Sequence, residues 1–157
     1  IRYAQNASQL SFDNSTNGFT ATEVQSAIEE VSTNLGNSAS PGFSFGRGGN
    51  LPSGIWLLRP GGVPSNLSGI NVGLANPKLK KITCGSENLD TYTIEIYQHD
   101  GDEVNLTLIT SKSITASRKE IFDVDISLTN NKHLAVKIST GSAKNLGVDL
   151  QISGEVV

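Results

Sequence analysis

Tyr92-Thr-Ile-Glu-Ile-Tyr-Gln-His-Asp-Gly-Asp-Glu-Val-Asn-Leu-Thr-Leu108 alternates apolar and polar residues on both sides of an Asp-Gly pair. Tyr92, Ile94 and Ile96 face one way and Thr93, Glu95 and Tyr97 the other. Past the turn, Val104, Leu106 and Leu108 oppose Asn105 and Thr107. A period of two belongs to strands with one polar face, and Asp-Gly between two such runs is a strong hairpin signal. The same texture continues toward the C-terminus. Phe122, Val124, Ile126 and Leu128 alternate with polar residues, Asn130-Asn131 turns the chain, and Leu134, Val136 and Ile138 return. Gly141 to Gly147 then reads as a loop leading to Val148, Leu150 and Ile152. Upstream, Ile55 to Arg59, a segment near Gly69 to Val72, and one ending at Ile82 to Cys84 complete a count of about eight short strands. The expected fold is therefore mainly β, an antiparallel β-sandwich of jelly-roll type. Trp56 and Leu58 lie opposite Ile55 and Leu57, so that strand is expected to be buried on both faces, the outer one by another subunit.

Three zones differ in texture. Residues 1–35 hold a turn-rich lead-in and one amphipathic helix, residues 36–54 form a Gly/Ser/Pro-rich neck with Phe43 and Phe45 as aromatic plugs, and residues 55–157 carry the alternating head. Thr20 and Glu23 have capping-box spacing, as do Thr22 and Gln25, and announce the helix start. Val24, Ile28, Val31 and Leu35 follow at spacings of four, three and four, a heptad seam about two heptads long. A helix of this length is not stable alone in water, so the seam predicts association with copies of itself. The spacing leaves dimer and trimer open.

The run Phe12-Asp-Asn-Ser-Thr-Asn-Gly-Phe-Thr-Ala-Thr-Glu-Val-Gln-Ser-Ala-Ile-Glu-Glu-Val31 closely resembles a segment that recurs in tail-fibre, baseplate and other fibrous virion proteins of bacteriophages, usually just before a C-terminal knob. The resemblance implies a homotrimer and a place in the virion, after synthesis in the host cytoplasm. It further implies attachment to other virion proteins through residues preceding Ile1, and a head that contacts a host-surface receptor or glycan. Two other readings stay open: a capsid-decorating head that binds no receptor, and a carbohydrate-binding module.

Composition narrows the function classes. The 157 residues carry a net charge of −3 with acids and bases interspersed, which gives no electrostatic case for nucleic acid or an anionic membrane. The longest apolar run, Ile55 to Leu58, is too short to span a bilayer. The chain begins at Ile1 and has no methionine, which predicts a fragment of a longer protein. A single cysteine, Cys84, reads as a buried strand residue.

No enzyme, metal or cofactor is expected. Gly42-Phe43-Ser44-Phe45-Gly46 matches the nucleophile-elbow pattern but lacks a preceding strand and a following helix. His99 and His133 have no second nitrogen or sulfur ligand at metal spacing. The acids at Asp100, Asp102 and Glu103, and at Asp123 and Asp125, suit solvated turns and strand faces. Lys78, Lys80 and Lys81 read as protection of an edge strand. The expected trimer interface comprises Val24, Ile28, Val31, Leu35, Trp56 and Leu58. The expected receptor-contact loops are His99, Asp100, Asp102 and Glu103, then Asn130, Asn131 and Lys132, then Ser142, Lys144 and Asn145, because a β framework holds its loops rigidly while tolerating change in them.

Overall fold

The computed structural model describes residues 10, 11, 13, 15, 20–36, 38–101 and 103–156, with the side chains of 32–39 and 156 outside that description. It divides into two compact units, Ile1–Ser38 and Ala39–Val157.

In the first unit, helix α1 spans Val24–Gly36. Its start is secured differently from either capping box. The Glu30 carboxylate reaches back to accept from the Thr20 amide (3.2 Å) and hydroxyl (3.3 Å) and from the Ala21 amide (3.1 Å). Ahead of the helix, Ser11 bridges to Glu23, and the Val24 amide donates to the Leu10 carbonyl at 3.1 Å. Among the described side chains of α1, Ala27 is buried, whereas Ile28 is 58% and Val31 37% exposed. Two of the four seam residues, Ile28 and Val31, are thus left uncovered, while Val24 is half-buried.

The second unit is mainly β, built on one antiparallel sheet. Its strands are β1 (Ser38–Ala39, at the unit boundary), β2 (Gly42–Pro52), β3 (Ile70–Asn71), β4 (Leu74–His99), β5 (Thr107–Ser127) and β6 (His133–Val156). β4 lies between β5 and β6, and β2 and β3 pair along the other side of β6. Between those two, the Leu57 amide donates to Val136 and the Ile138 amide to Ile55, so residues 55–57 continue the same edge through single bridges.

Three expectations change here. The alternating runs read as separate short strands are joined in pairs into long ones. Residues 82–84 and 92–96 both lie in β4, residues 108 and 122–126 in β5, and residues 134–138 and 148–152 in β6. The Gly- and Ser-containing breaks between them are register irregularities, at Gly85/Asp90 in β4 and opposite it around Gly141, rather than turns. An irregularity of this kind bends a strand without ending it. Second, residues 42–52 of the expected neck form β2, whose Phe45 and Leu51 are core residues. Third, the hairpin turn is longer than Asp-Gly: β5 starts only at Thr107, and Val104, Leu106 and Leu108 are exposed.

The rest of the alternation holds. Ile82, Cys84, Ile94, Ile96, Leu134, Val136, Ile138, Val148, Leu150 and Ile152 have no exposed surface, and Tyr92 has almost none. Both halves of β4 therefore feed one core. Burial raises the Cys84 thiol to about 12, aided by the carboxylates of Glu120 and Asp149, as befits a strand residue.

Candidate functional site

The end of the β4–β5 hairpin and the turn into β6 meet at one place. β4 closes with Gln98 and His99, turn residues 100, 101 and 103–105 follow, and β6 opens at His133 directly opposite His99. Left-handed backbone at Glu103, Asn105 and Asn131 lets these polar residues make tight turns. Lys132 forms an ion pair with Asp100, and the Asn105 side-chain amide donates to the second Asp100 oxygen at 2.7 Å. The ammonium, and then the amide, hold the Asp100 carboxyl below its ordinary value. Gln98 links the turns by donating to the Thr129 carbonyl (3.0 Å) and accepting from its amide (2.9 Å). Gln98, Asp100, Asn105, Thr129 and Lys132 line a cleft of about 190 Å³ with Thr107 and Ile109.

Two of the three expected contact loops are therefore one surface. Asp100, Glu103, Asn130 and Asn131 are exposed, with Lys132 half-buried. Asn130 additionally accepts from the Asn76 amide at 3.2 Å. Asp102 lies outside the described residues. His99 is the exception and a correction: it is fully buried, because residues 64–69 lie over it, and so presents nothing at the surface.

The third expected loop is no loop. Ser142, Lys144 and Asn145 lie within β6, between β2 and β4. Asp90 accepts from the Lys144 amide at 2.9 Å, the Lys144 side chain reaches Glu87 at 2.7 Å, and Asn145 accepts from the Gly49 amide at 2.6 Å while donating to Glu87. Lys144, followed by Asn145, depresses the Glu87 carboxyl. These residues brace the irregularity in β4.

The remaining candidates separate just as clearly. Ser44 sits in mid-strand and donates to Asp149 at 2.6 Å, with no strand-to-helix turn to aim it. Lys78 and Lys80 pair with Asp125, and Lys81 with Asp123. The edge strand among these elements is β5, so the lysines stand on an interior strand and answer the acids of its neighbour, correcting their assignment to an edge. Among the described residues, no group of three or more His, Cys, Asp or Glu could hold a metal ion. Trp56 is half-buried, its ring 5.3 Å from that of Tyr97 and 5.4 Å from the Lys137 ammonium, while Arg47 donates to its carbonyl at 3.1 Å. Leu58 is likewise half-buried and bridges Gly46 and Pro64. The Leu35 side chain lies outside the described residues.

Sequence reasoning passed over Gln98, Asn105 and Thr129. Asn105 is a residue at home in left-handed turns, but it was read as one polar position of a strand. The match between Gln98 and Thr129 joins residues 31 apart and leaves no local trace.

The sequence matches no protein-family model and is similar to no curated protein.

Proposed function

We propose that this chain is a non-enzymatic structural and adhesion module, a trimeric head of phage fibre or spike type that presents its β4–β5 and β5–β6 turns for attachment to a host surface. The observation that carries the proposal is the uncovered seam of α1. Ile28 and Val31 expose large apolar side chains on a 13-residue helix too short to persist without a partner. The resemblance of residues 12–31 to the trimerising segment of phage fibres selects three copies over two. Three heads multiply weak contacts through effective concentration, so a shallow polar surface such as that of Asp100, Asn105 and Lys132 suffices on each.

The finer fold we propose for the head is a jelly-roll-like sandwich, in which the long strands bend at their irregularities so that the two halves cover one another. Supporting this reading, side chains from both halves of β4, β5 and β6 belong to one cluster.

A second reading, as a carbohydrate-binding module, draws on the Trp56–Tyr97 pair, since half-exposed aromatic rings suit sugar faces. The adhesion reading gives Trp56 to the trimer interface instead.

Exchanging Val24 and Ile28 together for Asp tests the stem. Charges on the seam should move dissociation of the trimer to at least tenfold higher protein concentration in sedimentation velocity, with the far-UV β signature kept. Unchanged association would remove α1 from the assembly.

A further inference from the structure

His99 is a buried ring with both nitrogens committed. The Gly101 amide donates to Nδ1 at 3.0 Å, so Nδ1 must be unprotonated, and Nε2 donates to the Ser65 carbonyl at 3.0 Å. The ring thus joins the first residues of the hairpin turn to the 64–69 segment. That segment is tied down on its other side too. The Ser65 hydroxyl donates to the Val136 carbonyl and accepts from the Val136 amide, and Asn66 is clasped by Glu103, whose amide donates to the Asn66 carbonyl at 3.0 Å while its carboxylate accepts from the Asn66 side chain. A second imidazole stands beside the first: His133, centroid 5.6 Å away, donates from Nδ1 to the Gly69 carbonyl at 3.1 Å. Gly69 is packed so closely that a Cβ there would lie 2.6 Å from His99 Nε2.

From this geometry we propose that His99, backed by His133, is an acid-released latch that holds Gly101 and Glu103 of the hairpin turn and the 64–69 segment in place near neutral pH and frees them when the ring takes up a proton. A proton on Nδ1 would confront the Gly101 N–H with a second donor and delete the bond between them. It would also create a positive charge without water around it, beside a second imidazole that offers no negative charge.

The surrounding charges do not rescue that state. From the start of β6 and the turn before it, the neighbouring groups are His133 and Lys132, neither of which can supply a negative charge. From its own turn they are Asp100 and Glu103, of which the first is committed to Lys132 and Asn105 and the second to Asn66. The 64–69 segment carries no titratable side chain, and Asp102 lies outside the described residues. Burial, joined by His133, lowers the ring's affinity for protons, while the Ser65 carbonyl and Asp100 pull more weakly the other way.

The sign follows. Because the folded ring binds its proton less readily than an unfolded one, the latch is intact above the ordinary histidine value of 6.5 and is lost as pH falls below it toward the lower folded value. The consequence for a surface built on Asp100, Glu103 and Lys132 is that an acidic environment rearranges it while leaving the sheet intact. The latch acts within one chain and stands whether or not the chain trimerises.

Amide hydrogen exchange of the intact chain by NMR, corrected for intrinsic rates, tests this between pH 7.5 and 5. The Gly101 and Glu103 amides should lose at least tenfold of their protection on acidification while Ile94 and Ile96 keep theirs. In His99→Asn, whose side-chain oxygen can still accept from Gly101 but cannot titrate, protection should be level with pH. Pulling the tip open without acid, equal loss at Ile94 and Ile96, or no loss at all in the parent chain overturns the proposal. Should the variant not fold, the ring-proton titration of the parent decides: a His99 that titrates at or above 6.5 overturns it equally.

Discussion

Gly141→Ala should lower the stability of the β unit by more than about 3 kcal/mol, a fall in Tm on the order of 10 °C. Two costs add. Gly141 has φ +73°, where an L-residue is strained by about 1–2 kcal/mol. In addition, a Cβ there would penetrate the Thr91 carbonyl and come within 2.8 Å of the Tyr92 Cα. Neither neighbour can retreat, because β4 is hydrogen-bonded on both sides and Tyr92 is anchored in the core. Gly49→Ala separates the two costs: its φ is +88°, but nothing lies within 4 Å of the added carbon, so it should lose only the backbone strain of about 1–2 kcal/mol. Thermal unfolding followed by circular dichroism checks both; equal losses would mean that the contact between β6 and β4 at Gly141 is looser than described.

The second large effect is expected at the outer face of β6. In the proposed trimer, Trp56→Asp should give folded monomers, because it replaces an aromatic ring packed at a tilt against Tyr97 by a carboxylate that an interface would have to strip of water, at a cost of several kcal/mol. Lys137, 5.4 Å from the ring, could answer the new charge within one chain. The fold of the monomer should therefore survive while its association does not. Sedimentation velocity together with the far-UV spectrum distinguishes this from unfolding. A Trp56→Asp protein that remains trimeric would place the interface elsewhere, on α1 or on another face.

Much of the fold was legible in the sequence because burial here follows short-range periodicity. Tyr92, Ile94 and Ile96, or Leu134, Val136 and Ile138, announce their faces through their immediate neighbours alone. What was misread depends on distance along the chain. Whether a break such as Ser86 to Leu89 or Gly141 to Leu146 ends a strand or merely shifts its register is decided by the partner strands, since both sides of β4 must stay paired across it. Gly42–Pro52 looks like a linker by composition, and only the spacing of Phe43, Phe45 and Leu51 hinted at a strand that β6 would complete. At the site, the polar turns around Asp100 and Asn130 were visible from turn chemistry. The burial of His99 was not, because the segment covering it lies about thirty residues earlier and gives no periodic signal.

The number of chains in the particle is decisive. Multi-angle light scattering on the intact 157-residue chain at micromolar concentration should give about 50 kDa, three times the 16.6 kDa of one chain. A monodisperse peak at the mass of one chain would contradict the trimeric attachment module, and with it the role assigned here to the exposed seam of Ile28 and Val31.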